Sequence, residues 1–336
     1  MNLFASVLTY PAPAANYRGE SELNRTIIQK VTDGRFDYPI ISPEAIRNAL
    51  REILRAYNLP SNRQRLHPVS GNGSSKEGDS GDKQGLAVKF DQYPDPAVFA
   101  DDFFFGYLLA VKGKELEKVR TAKGATYPLK RDSILRMNLA KALEPYRHNA
   151  VFTQSPELKD SPWKPGGGDS KTTSALLHRE TAVTPFQYPF ALNLNDCAAQ
   201  PVWTRALLRA IGELNNVAGN HARSYFEMAP ASIVIRLTNS LVAGYSNYGF
   251  QKSKKTDNYE FPEVVEGILH QERSADGTMM DAPDYPGNEF YIGGRIVKEM
   301  SDEKIAGLRA RGVTLDRDPR RLIETVTAQA LTGASA

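Results

Sequence analysis

Residues 38–57 read YPIISPEAIRNALREILRAY, and this stretch predicts the first helix of the fold. Ser42 suits the N-cap, Pro43 suits the first turn, and Glu44 favours the positive end of the helix dipole. Apolar side chains then recur at helical spacing and predict one buried face: Ile46, Ala49, Leu50, Ile53, Leu54 and Tyr57. Beside that face a basic stripe has the spacing i, i+4, i+8 and consists of Arg47, Arg51 and Arg55.

On both sides of this helix the sequence predicts a mixture of strands and further helices. The predicted strands cover residues 3–10, 103–111, 186–194 and 232–237. In the third of them polar and apolar residues alternate, and Pro189 predicts an edge strand or a bulge. Further helices are predicted at 201–217, 301–311 and 318–331. This order of elements indicates an α+β core.

The composition is that of a globular chain. Its 336 residues suffice for two average domains or for one large domain with insertions. Cys197 is the single cysteine, which excludes an intramolecular disulfide framework and a cysteine-rich zinc site. No apolar run reaches about 18 residues and no basic leader precedes the first strand, so we expect no membrane partner and a cytoplasmic location.

Charged residues are segregated along the chain, although the formal net charge is only +3. Residues 112–147 contain ten basic and four acidic residues, whereas residues 257–289 contain nine acidic residues and one basic residue. Such blocks allow one face to bind a polyanion, and they also allow copies to dock head to tail. The alternative is a set of solvated loops.

Two polar, glycine-rich stretches, 70–85 and 159–173, are predicted to be flexible tips of insertions into one core. The second stretch contains Lys171 and Thr172 after a triple glycine, which invites comparison with a phosphate-binding loop. The spacing fails, because Ser170 and Pro165 occupy the two positions where that motif needs glycine.

Residues with catalytic potential are few. No pair among the histidines has a metal-ligand spacing such as HxxxH; they are His67, His148, His178, His221 and His270. His148 and His178 flank the second insertion beside arginines, so they can stack on bases, act in acid–base cleavage of RNA, or be plain surface residues. Asp33 and Asp37 precede the first helix. With a metal such a pair can cleave phosphodiesters, but the neighbouring Gly34 and Pro39 favour ordinary turn residues.

The segment after the first strand combines an aromatic, a cation and a glycine in Tyr17, Arg18 and Gly19. A loop tip of this kind can place a ring and a guanidinium against a nucleic-acid backbone.

Five blocks in this order carry a family resemblance. They are ASVLTYPAPAANYRGESELNR (5–25), YPIISPEAIRNALREIL (38–54), ADDFFFGYLLA (100–110), LKRDSILRMNLAKALEPY (129–146) and LLHRETAVTPFQYPFALNL (176–194). Together they resemble the DevR-type CRISPR-associated proteins, the crRNA-binding backbone subunits of type I Cascade surveillance complexes. The resemblance covers roughly residues 3–240.

The resemblance implies an α+β fold with a ferredoxin-like, RRM-like palm and two large insertions. The palm would comprise residues 1–57, 101–148 and 186–336, the fingers 58–100 and the thumb 149–185. It also implies a helical filament of copies along a guide crRNA, in which the thumb displaces bases at regular intervals. Pairing between the guide and target DNA then supplies sequence specificity. The implied partners are the guide crRNA, target DNA through the guide, further copies of the chain, and other Cascade subunits.

Carried over onto this sequence, the resemblance implies an RNA-binding set that grips phosphates without sequence preference. Its members are Tyr17, Arg18, Asn24, Arg47, Arg51, Lys130, Arg131, Ser133, His178, Arg179, Asn220 and His221. We expect no catalytic residue, no cofactor and no metal. The alternative is an endoribonuclease that acts through His148 and His178, or through Asp33 with a metal.

Overall fold

The computed structural model describes residues 1–22, 25–65, 88–154, 176–217 and 225–333. The predicted flexible stretches 70–85 and 159–173 therefore lie outside the described residues. The chain forms two compact units, one made of Met1–Leu50 and Met137–Ala336 and the other of Arg51–Arg136. None of the described helices combines the length and apolarity that crossing a bilayer requires.

The strands, in chain order, are β1 (Asn2–Thr9), β2 (Ala12–Ala14), β3 (Tyr17–Glu22), β4 (Arg25–Ile28), β5 (Lys30–Asp33), β6 (Phe36–Ile41), β7 (Arg63–Arg65), β8 (Val88–Phe90), β9 (Tyr107–Leu108), β10 (Lys130–Arg131), β11 (Arg136–Met137), β12 (Ala140–Ala142), β13 (Ala150–Gln154), β14 (Leu176–Glu180), β15 (Ala182–Thr184), β16 (Phe186–Asn193), β17 (Pro230–Thr238), β18 (Gln251–Lys252), β19 (Tyr259–Glu260), β20 (Gln271–Arg273), β21 (Met279–Asp281), β22 (Phe290–Gly294) and β23 (Thr314–Asp316).

The helices are α1 (Pro43–Ala56), α2 (Ala100–Phe105), α3 (Gly113–Lys123), α4 (Leu194–Cys197), α5 (Pro201–Gly212), α6 (Pro262–Leu269), α7 (Arg295–Glu299), α8 (Asp302–Ala310) and α9 (Pro319–Gly333). The mixed α/β composition agrees with the class predicted from the sequence.

The largest sheet lies in the first unit, and its strand order is β23-β22-β17-β1-β16-β12-β6-β5. β1 is central: Ser6 lies opposite Pro189 of β16 on one side and opposite Val234 of β17 on the other. The pairs are antiparallel except for β22 with β23. In the chain, α1 comes between β1 and β12, and α5 comes between β16 and β17.

Both faces of this sheet are covered around β17 and β22. Gly293 pairs with Ile233, and a Cβ at Gly293 would meet Leu322 of α9 at 2.7 Å, so α9 packs closely on that face. Val234 points to the opposite face because side chains alternate along a strand. There it belongs to a buried cluster with Phe261, which precedes α6, and with residues of α6, α7 and α8. Burial on both faces explains the continuous apolar character of the central strands.

The strand predicted at residues 186–194 is confirmed, but the edge position that Pro189 suggested for it is wrong. β16 lies between β1 and β12, and its burial is nearly continuous. Pro189 is tolerated inside the sheet because of its neighbour. The carbonyl oxygen of Pro189 accepts from Asn138 N at 3.3 Å, and Asn138 lies between β11 and β12 rather than within a strand. The N–H and C=O of a strand residue point to the same side, so the N–H that proline lacks would also face Asn138. The pairing of β16 with β1 therefore loses no hydrogen bond.

The interpretation of residues 103–111 as a buried strand is also wrong. Residues Ala100–Phe105 form α2, whose three phenylalanines are buried, and only Tyr107–Leu108 is extended. Gly106 ends the helix with a φ of +63°, and a Cβ there would meet the Arg131 carbonyl oxygen at 2.2 Å. A short helix with every residue buried has no exposed face, so its periodicity cannot be distinguished from that of a buried strand.

The helix predicted from Ser42 is confirmed. Ala45 N donates to Ser42 Oγ at 3.2 Å, and Ile46 and Leu50 are fully buried. The helix predicted at 201–217 is shorter than expected and ends at Gly212. The two C-terminal helices and the strands near 3–10 and 232–237 lie where the sequence placed them.

In the second unit, buried carboxylates at the start of α2 hold the chain that follows α1. Asp101 accepts from the backbone N–H groups of Asn62 and Arg63 at 2.8 and 2.9 Å. Asp102 accepts from Asn62 Nδ2 at 2.8 Å and from Asp95 N at 3.0 Å. Burial raises the pKa of Asp102 above its ordinary value, and the hydrogen bond from Asn62 partly offsets that shift.

Candidate nucleic-acid interface

A four-stranded sheet in the first unit brings together two distant parts of the sequence. Its order is β13-β14-β4-β3, and β14 pairs with β4 in parallel. In that register His178 lies opposite Arg25 and Arg179 lies opposite Thr26. β4 pairs in turn with β3, which carries Tyr17 and Arg18. Sequence-predicted residues from the segment after β1 and from the base of the second insertion therefore share one sheet.

Glu180 joins this sheet to the first unit's core. Its side chain is 11% exposed, and Oε2 accepts from Ile28 N at 3.2 Å and from Lys30 Nζ at 3.5 Å. The Lys30 ammonium also lies 4.1 Å from the ring centroid of Tyr146. Burial, reinforced by the Glu180 carboxylate, raises the pKa of Tyr146 to about 12. These contacts fix the position of β14 and hence of its two basic residues.

Tyr17 and Arg179 are electrostatic neighbours in this sheet. Burial raises the pKa of Tyr17, the Arg179 charge lowers it, and the Glu180 charge raises it again. The ring of Tyr17 packs beside Ala15, Ile28 and Ala182. The sequence had suggested that Tyr17 lies on a free loop tip. In the structure it is a half-buried residue at the start of β3.

His178 packs against an aromatic residue that sequence reasoning missed, with the two rings tilted at 57° to each other. The ring centroids of His178 and Phe152 are 4.2 Å apart, and Phe152 is 60% exposed. The cause of the contact is the antiparallel pairing of β13 and β14, in which the two residues are directly opposed. The β-branched and aromatic residues Val151, Phe152 and Thr153 before the glycine-rich stretch were the available signal, since such a run is typical of a strand. An exposed ring of this kind can stack on a base.

The arginine stripe of α1 is present, but its members have different surroundings. The Arg47 side chain is 22% exposed, and its Nη1 lies 4.0 Å from Glu44. The Arg51 guanidinium lies 4.6 Å from the centroid of the Phe105 ring. Arg55 is held by Glu52 at 3.1 Å and by the Arg63 carbonyl oxygen at 2.7 Å. The Arg55 guanidinium is thus engaged by a carboxylate and by a backbone carbonyl within the protein.

In the second unit, β10 carries Lys130 and Arg131 and pairs with β9. Arg131 Nη1 donates to the Phe103 carbonyl oxygen at 2.7 Å, close to the C-terminal end of α2. Ser133 Oγ donates to the Phe104 carbonyl oxygen at 2.9 Å. Arg131 and Ser133 thus hold α2 in place, whereas Lys130 is exposed and available to an external anion.

Three residues of the implied RNA-binding set, Asn24, Asn220 and His221, lie outside the described residues. For Arg18 the structure describes the backbone in β3 and nothing of the side chain.

The residues of the nuclease alternative are also placed. Asp33 and Asp37 lie on the β5–β6 hairpin, whose tight turn contains Gly34 with a φ of +63°. Asp33 forms an ion pair with Lys141, and Asp37 accepts from Thr32 Oγ1 at 2.7 Å. His148 is exposed beside the Tyr146 ring at a centroid distance of 6.4 Å. Across the described ranges, no three His, Cys, Asp or Glu side chains are grouped so that they could hold a metal ion.

Sequence comparison finds a relative over most of the chain. A protein of Myxococcus xanthus (strain DK1622) named "CRISPR-associated protein Cas7/Cst2/DevR" is 27% identical over 311 residues, which cover 90% of each chain. Over most of its length this chain is therefore similar to a DevR-type CRISPR-associated protein. The resemblance seen in the five sequence blocks is thereby confirmed. A search against protein-family models found no match.

Solved structures of CRISPR surveillance complexes contain chains of similar fold. A chain of a "CRISPR RNA-guided surveillance complex, pre-nicking" superposes with a TM-score of 0.57, at 12% identity, covering 98% of this chain and 100% of that one. A chain of a second "CRISPR RNA-guided surveillance complex" gives a TM-score of 0.51 at the same identity and coverage. At such low identity the likeness concerns the fold alone.

Proposed function

We propose that this chain is a non-catalytic RNA-binding backbone subunit of a type I CRISPR surveillance complex. In this proposal, copies polymerise along a guide crRNA and present it for pairing with target DNA. Other Cascade subunits complete the complex. The names of the relative and of the structural neighbours support the CRISPR assignment.

The observation that carries the RNA-binding part is the parallel pairing of β14 with β4. This pairing places His178 and Arg179 on the strand next to β4, and β3 with Tyr17 and Arg18 follows. Together the strands carry guanidinium groups and aromatic rings within one small sheet. Guanidinium groups suit phosphate oxygens, and exposed rings suit unstacked bases.

Phosphates carry no sequence information, so contacts of this kind hold any guide equally well. Arg47, Arg51 and Lys130 would add further cationic contacts to the strand. The exposed ring of Phe152, backed by His178, is placed to stack on a base that the thumb displaces. Sequence specificity would then reside in the base pairing between guide and target.

The palm, fingers and thumb remain part of this proposal. Support for a ferredoxin-like palm comes from the strand order β17-β1-β16-β12, with α1 after β1 and α5 between β16 and β17. That is the order expected of two interleaved β-α-β units in one antiparallel sheet. The thumb at 149–185 would contain β13, β14 and β15, and the fingers at 58–100 would contain β7 and β8.

The RNA-binding test compares variants of the four-stranded sheet on RNAs of unrelated sequence. We expect Arg179→Ala to weaken binding of every RNA to a similar degree, because it removes a phosphate contact. We expect Phe152→Ala to weaken binding by about 1–3 kcal/mol per stacked base. Val151→Ala is the matched control, because Val151 is 52% exposed on the same strand but has no ring. Equal effects of Phe152→Ala and Val151→Ala would refute base stacking.

The non-catalytic part is tested with magnesium or manganese and RNA paired to the guide. We expect the assembled complex to leave that RNA intact. We also expect Asp33→Ala and Asp37→Ala to change binding by no more than a few fold, because Asp33 is engaged by Lys141 and Asp37 by Thr32. Cleavage at regular intervals that disappears in either variant, or in His148→Ala or His178→Ala, would establish the endoribonuclease alternative instead.

A further inference from the structure

The acidic segment 257–289 contains a small exposed hairpin that is separate from the main sheet. Its strands β20 and β21 pair with each other, with Glu272 opposite Met280. Met279 and Met280 are 51% and 59% exposed, although methionine is usually buried. At the tip, Asp276 Oδ1 accepts from Ser274 Oγ at 2.6 Å and from Thr278 N at 2.9 Å. These hydrogen bonds lower the pKa of Asp276 to about 2, so the tip is charged at any neutral pH.

The two faces of this hairpin differ. Asp281 forms an ion pair with Arg311, which follows α8, so this face is anchored to the body of the first unit. Side chains alternate along a strand, and therefore Glu272 and Met280 point away from the face that carries Asp281. The outward face thus combines a carboxylate with an exposed apolar side chain, and the carboxylate of Asp276 lies at its end.

A complementary surface occurs on α3 in the second unit. The helix carries four basic and two acidic residues, and Val119 is its single buried residue. Lys114 and Lys118 are one turn apart, and both are exposed. Long lysine side chains offer an apolar stem below a cationic head, which suits a surface that is both acidic and apolar.

We propose that the outward face of the β20–β21 hairpin of one copy docks on α3 of the next copy. In this contact Glu272 and Asp276 pair with Lys114 and Lys118, while Met280 packs on the lysine stems. The contact joins two different surfaces, so it is heterologous and can repeat from copy to copy along the guide. This inference rests on the proposed function, because copies aligned on one guide are held close enough for a modest contact to act.

Charge favours a second copy over nucleic acid as the occupant of α3. Glu115 and Glu117 are interleaved with the lysines and would face a phosphate backbone at short range. A phosphate backbone repeats its charge along its whole length, whereas a hairpin can place neutral side chains such as Met280 and Thr278 beside these two carboxylates.

The test separates contact between copies from RNA binding. Binding is measured to a short RNA that holds one copy and to a long RNA that holds several. The hairpin variant is Glu272→Lys with Asp276→Asn, which keeps an acceptor in the turn. The helix variant is Lys114→Glu with Lys118→Glu, and the swapped variant combines all four changes. The control is Glu266→Lys with Glu303→Gln, two exposed residues outside the hairpin whose change in net charge equals that of the hairpin variant.

We expect the hairpin and helix variants each to lose roughly tenfold in cooperativity on the long RNA, since juxtaposed like charges oppose docking. The swapped variant should recover most of that loss, and affinity for the short RNA should stay unchanged. The proposal is overturned if the control loses as much, if the swap restores nothing, or if the wild type binds the long RNA without cooperativity.

Two further outcomes are decisive. A loss of affinity for the short RNA in the helix variant that persists after the swap would show that α3 binds RNA instead. If the wild type binds neither RNA, the proposed function fails, and the docking contact is then measured by sedimentation of the RNA-free chain at low salt. Self-association that the reversals abolish and the swap restores supports the contact, and a wild-type chain that stays monomeric overturns it.

Discussion

The arginine stripe of α1 offers a quantitative prediction about phosphate binding. Arg47→Ala combined with Arg51→Ala removes two charges from one helix face. For a single strand, each phosphate contact contributes about 0.7 to the slope of log affinity against log salt, so the double variant should lose about 1.4. Between 50 and 200 mM salt, the wild type should then lose about sevenfold more affinity than the variant does.

The chain supplies its own control for this experiment. Arg55→Ala removes the same charge from the same helix, but Arg55 is already held by Glu52 and the Arg63 carbonyl. We expect Arg55→Ala to leave the slope nearly unchanged. Removing Arg51 also loses its contact with the Phe105 ring, so unfolding by urea is measured beside binding. Binding is followed by fluorescence anisotropy on two RNAs of unrelated sequence. Equal slopes for the wild type and the double variant would refute phosphate contact by these residues.

Three other predictions concern stability. Glu180→Ala leaves the N–H of Ile28 without its acceptor, so the free energy of unfolding should fall by about 1–3 kcal/mol in urea titrations; no change would mean that Glu180 does not hold the four-stranded sheet. Ser42→Ala removes the cap of α1 and should cost about 1 kcal/mol, with Ser42→Asn as a variant that retains stability. Tyr146 has a pKa raised to about 12, so its contribution is complete below pH 10 and is lost as the pH rises toward 12; Tyr146→Phe should therefore flatten the fall in stability between pH 10 and 12, and parallel curves would contradict the assigned burial.

Local signals in the sequence were enough for the elements that carry their own pattern. The α1 helix has a cap, a proline at its start and an amphipathic repeat within a few residues, and each of these acts over one or two turns. The prediction of a strand at residues 103–111 was wrong because α2 is buried on all sides and shows no helical alternation of polar and apolar residues. Pro189 misled because its place in the sheet depends on Asn138, a residue from another part of the chain.

In the candidate site, too, local signals were readable from the sequence and contacts between distant segments were not. The residue types at 17–18 and 178–179 were recognised from their chemistry and from the family resemblance. Their meeting was not predictable, because the pairing of β14 with β4 joins segments about 150 residues apart. The roles of Arg131 and Ser133 in holding α2, and the exposure of Phe152 beside His178, likewise follow from tertiary contacts.

The central position of β1 has a consequence for biosynthesis. Both strands that flank β1 are made late, since β16 begins at Phe186 and β17 ends at Thr238. At translation rates of about 5–20 residues per second, this apolar strand waits roughly ten seconds or more for its neighbours. During that interval both of its edges can pair with other nascent chains. We therefore expect the yield of folded protein in cells to depend on chaperones that cover β1 on the ribosome. Slower synthesis is not expected to raise that yield, because it lengthens the interval.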